Sequence, residues 1–212
     1  MSLTLRYMQL SDIRQVATID VMCFDPPWSH ESYAFEINES NVSHMVVLEE
    51  IIGLAPPEPT RRRSWLDRLR RKGRGAVSAL DGSGVILGYG GLWKIEGEAH
   101  VSTIAIDPAW RGKGYGEILL AGMFGKALQL KAQYIVLEVR VSNSIAQSLY
   151  RKYGFSRVRR RKNYYRSDNE DAWDMRVALD RDTRHRFERL YTKLRLQHGF
   201  LDSYSRKSRP RG

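Results

Sequence analysis

The sequence predicts a mixed α/β fold in one domain. Segments of two-residue alternation recur along the chain and are interleaved with stretches of 3.6-residue apolar spacing, the pattern of strands packed against helices. A length of 212 residues suits one hydrophobic core with modest appendages. With 42% apolar and 28% charged residues, the composition is that of a globular protein.

Thr4–Leu10 alternates like a strand, and Ser11 is placed to cap a helix whose inward positions are Ile13, Val16, Ala17 and Ile19. Asp25-Pro26-Pro27-Trp28 ends that helix, because proline lacks the amide a helix needs. Ser29 can cap a second short helix to about Glu39, and Val42–Glu49 reads as a strand. Residues 55–78, with three prolines and an arginine-rich run around Trp65, Leu66 and Leu69, read as an inserted loop, either with one short amphipathic helix or of low order. Beyond the Asp81–Gly84 turn, Val85–Ile95 and His100–Ile106 read as neighbouring strands. A helix from about Gly114 to Lys131 turns Ile118, Leu119, Met123, Ala127 and Leu130 to one side. Tyr134–Val139 is a strand, Ser144–Tyr153 a helix opened by Asn143 or Ser144, and Ser156–Asn163 and Ala172–Ala178 are the last strands. A helical pattern from Asp182 to about Gln197 leads into the low-complexity run Ser203–Gly212. The expected order is β-α-α-β-β-β-α-β-α-β-β.

No apolar stretch approaches the ~20 residues of a membrane span. The N-terminus has no charged leader followed by an apolar block, and a lone Cys23 leaves no internal disulfide, so a cytoplasmic protein is expected. The net charge of +11 is uneven: residues 55–78 carry +6, residues 151–166 carry +8 and residues 180–212 carry +6, which leaves −9 for the remainder. Such patches favour polyanionic partners, whether RNA, an acidic protein or phosphates. The five histidines lie far apart with no ligand spacing, and no metal is expected.

One motif carries chemistry by itself. Ile104-Ala105-Ile106-Asp107-Pro108 runs from a strand into Arg111-Gly112-Lys113-Gly114-Tyr115-Gly116, a glycine-rich helix start. Glycines let the backbone approach a ligand, and the free amides of a first helical turn suit a pyrophosphate. No Gly-Lys-Ser/Thr follows, so this is not a nucleotide P-loop.

A second run, Leu137-Glu138-Val139-Arg140 with Ser142-Asn143, leads into Leu149-Tyr150 and Gly154-Phe155. Taken with Arg111-x-x-Gly114-x-Gly116, it resembles the GNAT acetyltransferase superfamily over about residues 3–179. Within that superfamily, Pro27-Trp28-Ser29 and Arg161-Lys162-Asn163-Tyr164-Tyr165 make the sequence most similar to the RimI-type ribosomal-protein-alanine N-acetyltransferases. The resemblance implies a central, mostly antiparallel, V-splayed sheet of about seven strands flanked by helices. It divides the chain into an acetyltransferase domain, residues 1–180 with the insert 55–78, and a basic C-terminal helix with a disordered tail, residues 181–212.

The resemblance also implies roles. Acetyl-CoA would lie along the backbone of Ile104, Ala105 and Ile106, with its pyrophosphate on Arg111, Gly112, Lys113, Gly114, Tyr115 and Gly116 and its pantetheine near Asn143. Glu138 would be the general base and Tyr150 the general acid at the sulfur; Phe24, Trp28, Tyr164 and Tyr165 would line the entrance for a protein N-terminus, ribosomal in origin. The chemistry agrees, since an attacking amine must lose a proton and a departing thiolate must gain one. The residues alone leave other readings open: Glu138 as an ion-pair partner of Arg140 or Arg176, and Tyr150 as a core aromatic. A lysine side chain or small amine is the alternative acceptor, and a non-catalytic ribosome- or RNA-binding module is the alternative of another class. The insert and the tail are the candidate contacts for RNA or an acidic partner.

Overall fold

A computed structural model describes residues 2–51, 84–206 and 208–209. Among them, eight strands form one sheet in the order β6-β7-β5-β4-β3-β2-β1-β8. The strands are β1 (Ser2–Tyr7), β2 (Ser43–Ile51), β3 (Val85–Ile95), β4 (Glu98–Ile106), β5 (Tyr134–Arg140), β6 (Ser156–Tyr165), β7 (Glu170–Ala178) and β8 (Leu201–Asp202). Five helices cover them: α1 (Ile13–Cys23), α2 (His30–Asn38), α3 (Tyr115–Gln129), α4 (Ser144–Lys152) and α5 (Arg181–His198). Pairing is antiparallel except between β1 and β8 and between β4 and β5. No described helix is long and apolar enough to cross a membrane.

Alternation sorts the sheet's side chains into two cores. Val46 and Leu48 of β2 join α3, α4 and α5 on one face, with Leu137 and Val139 of β5. Met45 and Val47 turn the other way, onto α1 and α2 with Ile13, Val16, Ile19 and Tyr33. Each fully buried Leu or Phe in these cores contributes ~2 kcal/mol. The long helix α3 is buried nearly all round, as its position between sheet and α5 requires.

Several boundaries differ from the sequence reading for local reasons. The N-cap position of the first helix is Asp12, not Ser11: a 3-10 turn at Leu10–Asp12 precedes α1, and the Asp12 carboxylate closes the start of that turn by accepting from the Gln9 amide (2.8 Å). Ala17 is only half-buried, and Asp20 takes the inward place beside Ile19. Ser29 and Asn143 do cap α2 and α4, each accepting from the amide three residues on. An eighth strand exists, because Leu201–Asp202 pairs in parallel with Thr4 and Leu5 of β1. Within the run read as a disordered tail, Tyr204 and Ser205 are buried. The expected insert, residues 55–78, lies outside the described residues.

At the other edge, β6 exposes Arg157, Val158, Arg159, Arg160 and Lys162 to solvent. Arg159 and Arg160 are paired with Asp174 and Asp171 of β7.

Candidate active site

The site begins where the sheet opens. β4 and β5 pair in parallel only at Glu98 with Tyr134, Ala99 with Ile135 and His100 with Val136. Past that point, Val101–Ile106 retains β3 as ladder partner and Leu137–Arg140 retains β7. A register shift between Gly91 and Leu92, with Ser102 as the extra residue of β4, bends the strand where the two part. Main-chain groups on both inner edges of the wedge are therefore left for a ligand.

At the wide end, β4 leads through a 3-10 turn at Pro108–Trp110, in which the Asp107 carboxylate accepts from the Ala109 amide (2.9 Å). Gly112 (φ +78°) and Gly114 (φ +81°) then hold left-handed conformations that side chains with a Cβ rarely adopt. Gly114 is the N-cap of α3, and the first bond of the helix runs from the Glu117 amide to its carbonyl (3.0 Å). The amides of Tyr115 and Gly116 precede that bond and belong to the unsatisfied first turn. The two nearby cations are folded onto the protein. The Arg111 guanidinium donates to the Ile106 carbonyl (3.2 Å) and lies 3.1 Å from the Cys23 sulfur, and Lys113 sits 4.3 Å above the Trp110 ring. Burial raises the Cys23 thiol above its ordinary range.

Glu138 projects from β5 on the face opposite Leu137 and Val139, its side chain 14% exposed. One carboxylate oxygen meets His100 Nε2 of β4 at 2.7 Å, and the other meets Arg161 of β6 at 3.2 Å. Arg161 is in turn held by Asp174 (2.6 Å). Neither Arg140 nor Arg176 pairs with Glu138: Arg140 binds Asp168 and Glu170, and Arg176 lies over the Tyr134 ring. Each carboxylate oxygen has two lone pairs, so this pairing orients Glu138 and leaves acceptor capacity for an amine or a water.

Tyr150 belongs to the other face. It is buried in α4 with its ring 5.8 Å from Phe155, in the core that holds Leu137 and Val139. Burial, reinforced by Tyr165, pushes its hydroxyl well above the ordinary phenol range and keeps it protonated. Buried Gln147 fixes α4 against the end of β5 by donating to the carbonyls of Arg140 (3.0 Å) and Val141 (2.9 Å). Asn143 spends its side-chain oxygen on the Ala146 amide (3.0 Å), which leaves its NH₂ group for a ligand.

Tyr164 and Tyr165 gather at the Glu138 end. Their rings meet edge to face at 5.1 Å, with Arg161 over Tyr164 and Arg140 over Tyr165. The Tyr164 hydroxyl is raised by burial and then by the charge of Glu138, and burial pushes Tyr165 up to about 12. Trp28 stacks at 6.4 Å on Trp93, which packs edge-on against His100. Trp28 and Trp93 line a depression of about 500 Å³ with Glu31, Ser32, Phe35 and Glu36. Phe24, 37% exposed, stands at the end of α1 before a cis Asp25–Pro26 bond.

Sequence reasoning assigned no role to His100, Asp20 or Gln147, and quoted Arg161 only as part of a motif. Buried Asp20 accepts from the Trp28 amide (2.6 Å) and from the Tyr89 hydroxyl, to which Tyr33 donates (3.1 Å), so it holds the turn that presents Trp28. The available signal was an acidic residue on the apolar stripe of α1. Among the described residues, no cluster of three His, Cys, Asp or Glu could hold a metal ion.

A wedge that offers main chain on its edges and ends at glycine-built amides suits a long, polar, phosphate-bearing acyl carrier, and fold and site together define an acyltransferase. The acetyltransferase (GNAT) family pattern matches residues 48–155, and the chain belongs to that family as an acetyl-CoA-dependent N-acetyltransferase. It is 31% identical over 175 residues to a Bacillus subtilis (strain 168) protein named as a candidate ribosomal protein bS18-alanine N-acetyltransferase, covering 82% of this chain and 95% of that protein. It is 39% identical over 104 residues to the N-alpha-acetyltransferase RimI of Mycobacterium tuberculosis (strain H37Rv), covering 47% of this chain and 63% of that protein. In fold it is similar to the crystal structure of the ribosomal-protein-S18-alanine N-acetyltransferase from Escherichia coli. That match has a TM-score of 0.61 and 22% identity, and covers 84% of this chain and 94% of that one.

Proposed function

We propose that this enzyme acetylates the α-amine of a protein N-terminus, that of a small-subunit ribosomal protein, with Glu138 as general base and Tyr150 as general acid. The observation that carries the reading is that these two side chains lie on opposite faces of the sheet beside the wedge. An amine arriving from the α1/α2 face meets Glu138, and a thiolate leaving on the α3/α4 face meets Tyr150.

The protein holds acetyl-CoA by main chain along Ile104, Ala105 and Ile106 and by the amides of Gly112–Gly116, with Asn143 beside the pantetheine. Arg111 and Lys113 swing from Cys23 and Trp110 to the phosphates. Glu138 accepts a proton from the ammonium or amine, directly or through a water, as the new C–N bond forms. The C–S bond breaks, Tyr150 gives its proton to the sulfur, and solvent restores it. Trp28, Tyr164, Tyr165 and Phe24 line the acceptor's entrance. Relatives named as ribosomal protein bS18-alanine N-acetyltransferases support the choice of acceptor.

The test is an acetylation assay with acetyl-CoA and a panel of N-terminal peptides, internal-lysine peptides and small amines, read by mass spectrometry. Acetyl groups on the α-amine of the ribosomal peptide are expected. Acetylation confined to lysine side chains or small amines would overturn the acceptor, and RNA binding without turnover would overturn the reaction.

A further inference from the structure

Helix α2, which forms the proposed acceptor wall, is short and packs on the sheet and α1 through Tyr33, Ala34 and Ile37. It spans nine residues, of which Tyr33 is fully buried. Helices shorter than ~12 residues are marginal without tertiary support. Its C-terminal end carries the negative pole of the helix dipole and carbonyls with no intrahelical donor.

The C-terminal segment adds to that support. After α5, which packs on the α3 face, the chain rounds the β1 edge of the sheet, where β8 pairs with β1. Asp202 ties the bend by accepting from the amides of Tyr204 (2.9 Å) and Ser205 (2.8 Å) and from the Tyr191 hydroxyl (2.5 Å). Tyr204 is wholly buried, edge-on to Tyr7 at 4.8 Å, and its hydroxyl donates to the His44 carbonyl (2.8 Å). Arg209 is thereby delivered to α2. Its guanidinium donates to the carbonyls of Glu36 (3.1 Å) and Ile37 in the last helical turn, and to those of Ser40 and Ser43 (2.9 Å) just beyond.

Glu36 joins this clamp to the site. Its carbonyl is on Arg209, and its carboxylate accepts from Trp93 Nε1 (2.8 Å). Trp93 stacks on Trp28 and packs on His100, the partner of Glu138. We infer that Arg209 is a positioning residue for acceptor binding: it fixes α2 by its C-terminus and so holds the wall formed by Trp28, Phe35 and Glu36. A planar fork of five donors suits four converging carbonyls as a lysine ammonium does not. The effect on acceptor binding rests on the proposed function; the clamp itself does not.

The test compares full-length wild type with Arg209→Ala and Arg209→Lys. In Arg209→Ala, the KM for the acceptor peptide rises about tenfold while kcat and the KM for acetyl-CoA stay within about twofold, the signature of lost ground-state binding. Guanidinium ion at ~10 mM restores the peptide KM of Arg209→Ala and leaves wild type unchanged, and Arg209→Lys falls between the two. Hydrogen exchange quickens in the last turn of α2 and not at the start of α3. An unchanged peptide KM overturns the proposal, and so does a parallel rise of both KM values with no guanidinium rescue, which marks a general loss of stability. If wild type acetylates no peptide α-amine, the proposed function fails; exchange still decides the clamp, and unchanged exchange in α2 overturns it.

Discussion

The two sides of the wedge are built in different materials. The side proposed for the coenzyme is main chain: a strand released from its neighbour, two left-handed glycines and the first amides of α3. The side proposed for the acceptor is side chains from five distant segments: Trp28, Trp93, His100, Glu138 and the Arg161–Tyr165 run. A backbone site can be marked by a few glycines in a row, whereas a side-chain site depends on strand register. The two sides should therefore fail separately when altered, one through coenzyme affinity and the other through acceptor affinity, and together only at the reacting groups.

The largest effects belong where the two sides meet. Glu138→Gln and Tyr150→Phe should each lower kcat by ~10²–10⁴, the usual contribution of a positioned acid or base, with both KM values little changed; rates within twofold of wild type would remove these groups from the reaction. Gly114→Ala should act on the coenzyme side alone. It strains φ +81° and sets a Cβ 3.1 Å from His198 Nε2, so a rise of roughly tenfold in the KM for acetyl-CoA is expected, with the peptide KM steady. Trp28→Ala should do the reverse, raising the peptide KM by about fivefold to tenfold and sparing acetyl-CoA affinity in a calorimetric titration. A variant that moves both affinities equally would erase the distinction.

The smallest effect concerns acid. Burial, then the charges of Lys126 and Arg209, holds the His44 imidazole down at about 4 against an ordinary 6.5. A lowered folded-state value means that the unfolded chain binds this proton first. The contribution to stability is complete above pH 6.5 and is lost as pH falls through about 4. The shift is worth ~3 kcal/mol at full weight, and solvent reaching the half-buried ring reduces it to about a third, so between those limits the melting temperature of wild type should fall ~2–4 °C more than that of His44→Gln, by differential scanning calorimetry.

The same contrast explains what the sequence disclosed. The strand-to-helix turn at Ile106–Gly116 and the capping residues Ser29 and Asn143 are local features, and their positions can be read from neighbours in the chain. The partners of Glu138 could not be read, since His100 and Arg161 arrive from different strands and each pairing depends on cross-strand register. Ser11 is a reasonable cap by residue type, but the 3-10 turn at Leu10–Asp12 takes it in and moves the helix start to Asp12. Asp20 can be buried on the apolar stripe because its carboxylate accepts from the Tyr89 hydroxyl and the Trp28 amide, partners that lie outside α1. Tyr204 and Arg209 sit in a Ser- and Arg-rich run that resembles a solvated tail; their partners, His44 and the end of α2, are about 160 residues away or more.

Among the described residues, the outermost strand, β6, has no strand beyond it, which leaves its backbone groups open to an extended chain that approaches. The five basic residues of β6, Arg157, Arg159, Arg160, Arg161 and Lys162, outnumber the carboxylates of Asp171, Asp174 and Glu138 that pair with them, and this excess makes another copy of the strand a poor mate. That defence is electrostatic and has a range of ~8 Å in physiological salt, shrinking to ~3 Å at 1 M. Concentrated stocks should thus scatter more light as salt rises, and an acidic strand would be the guest this border admits most readily.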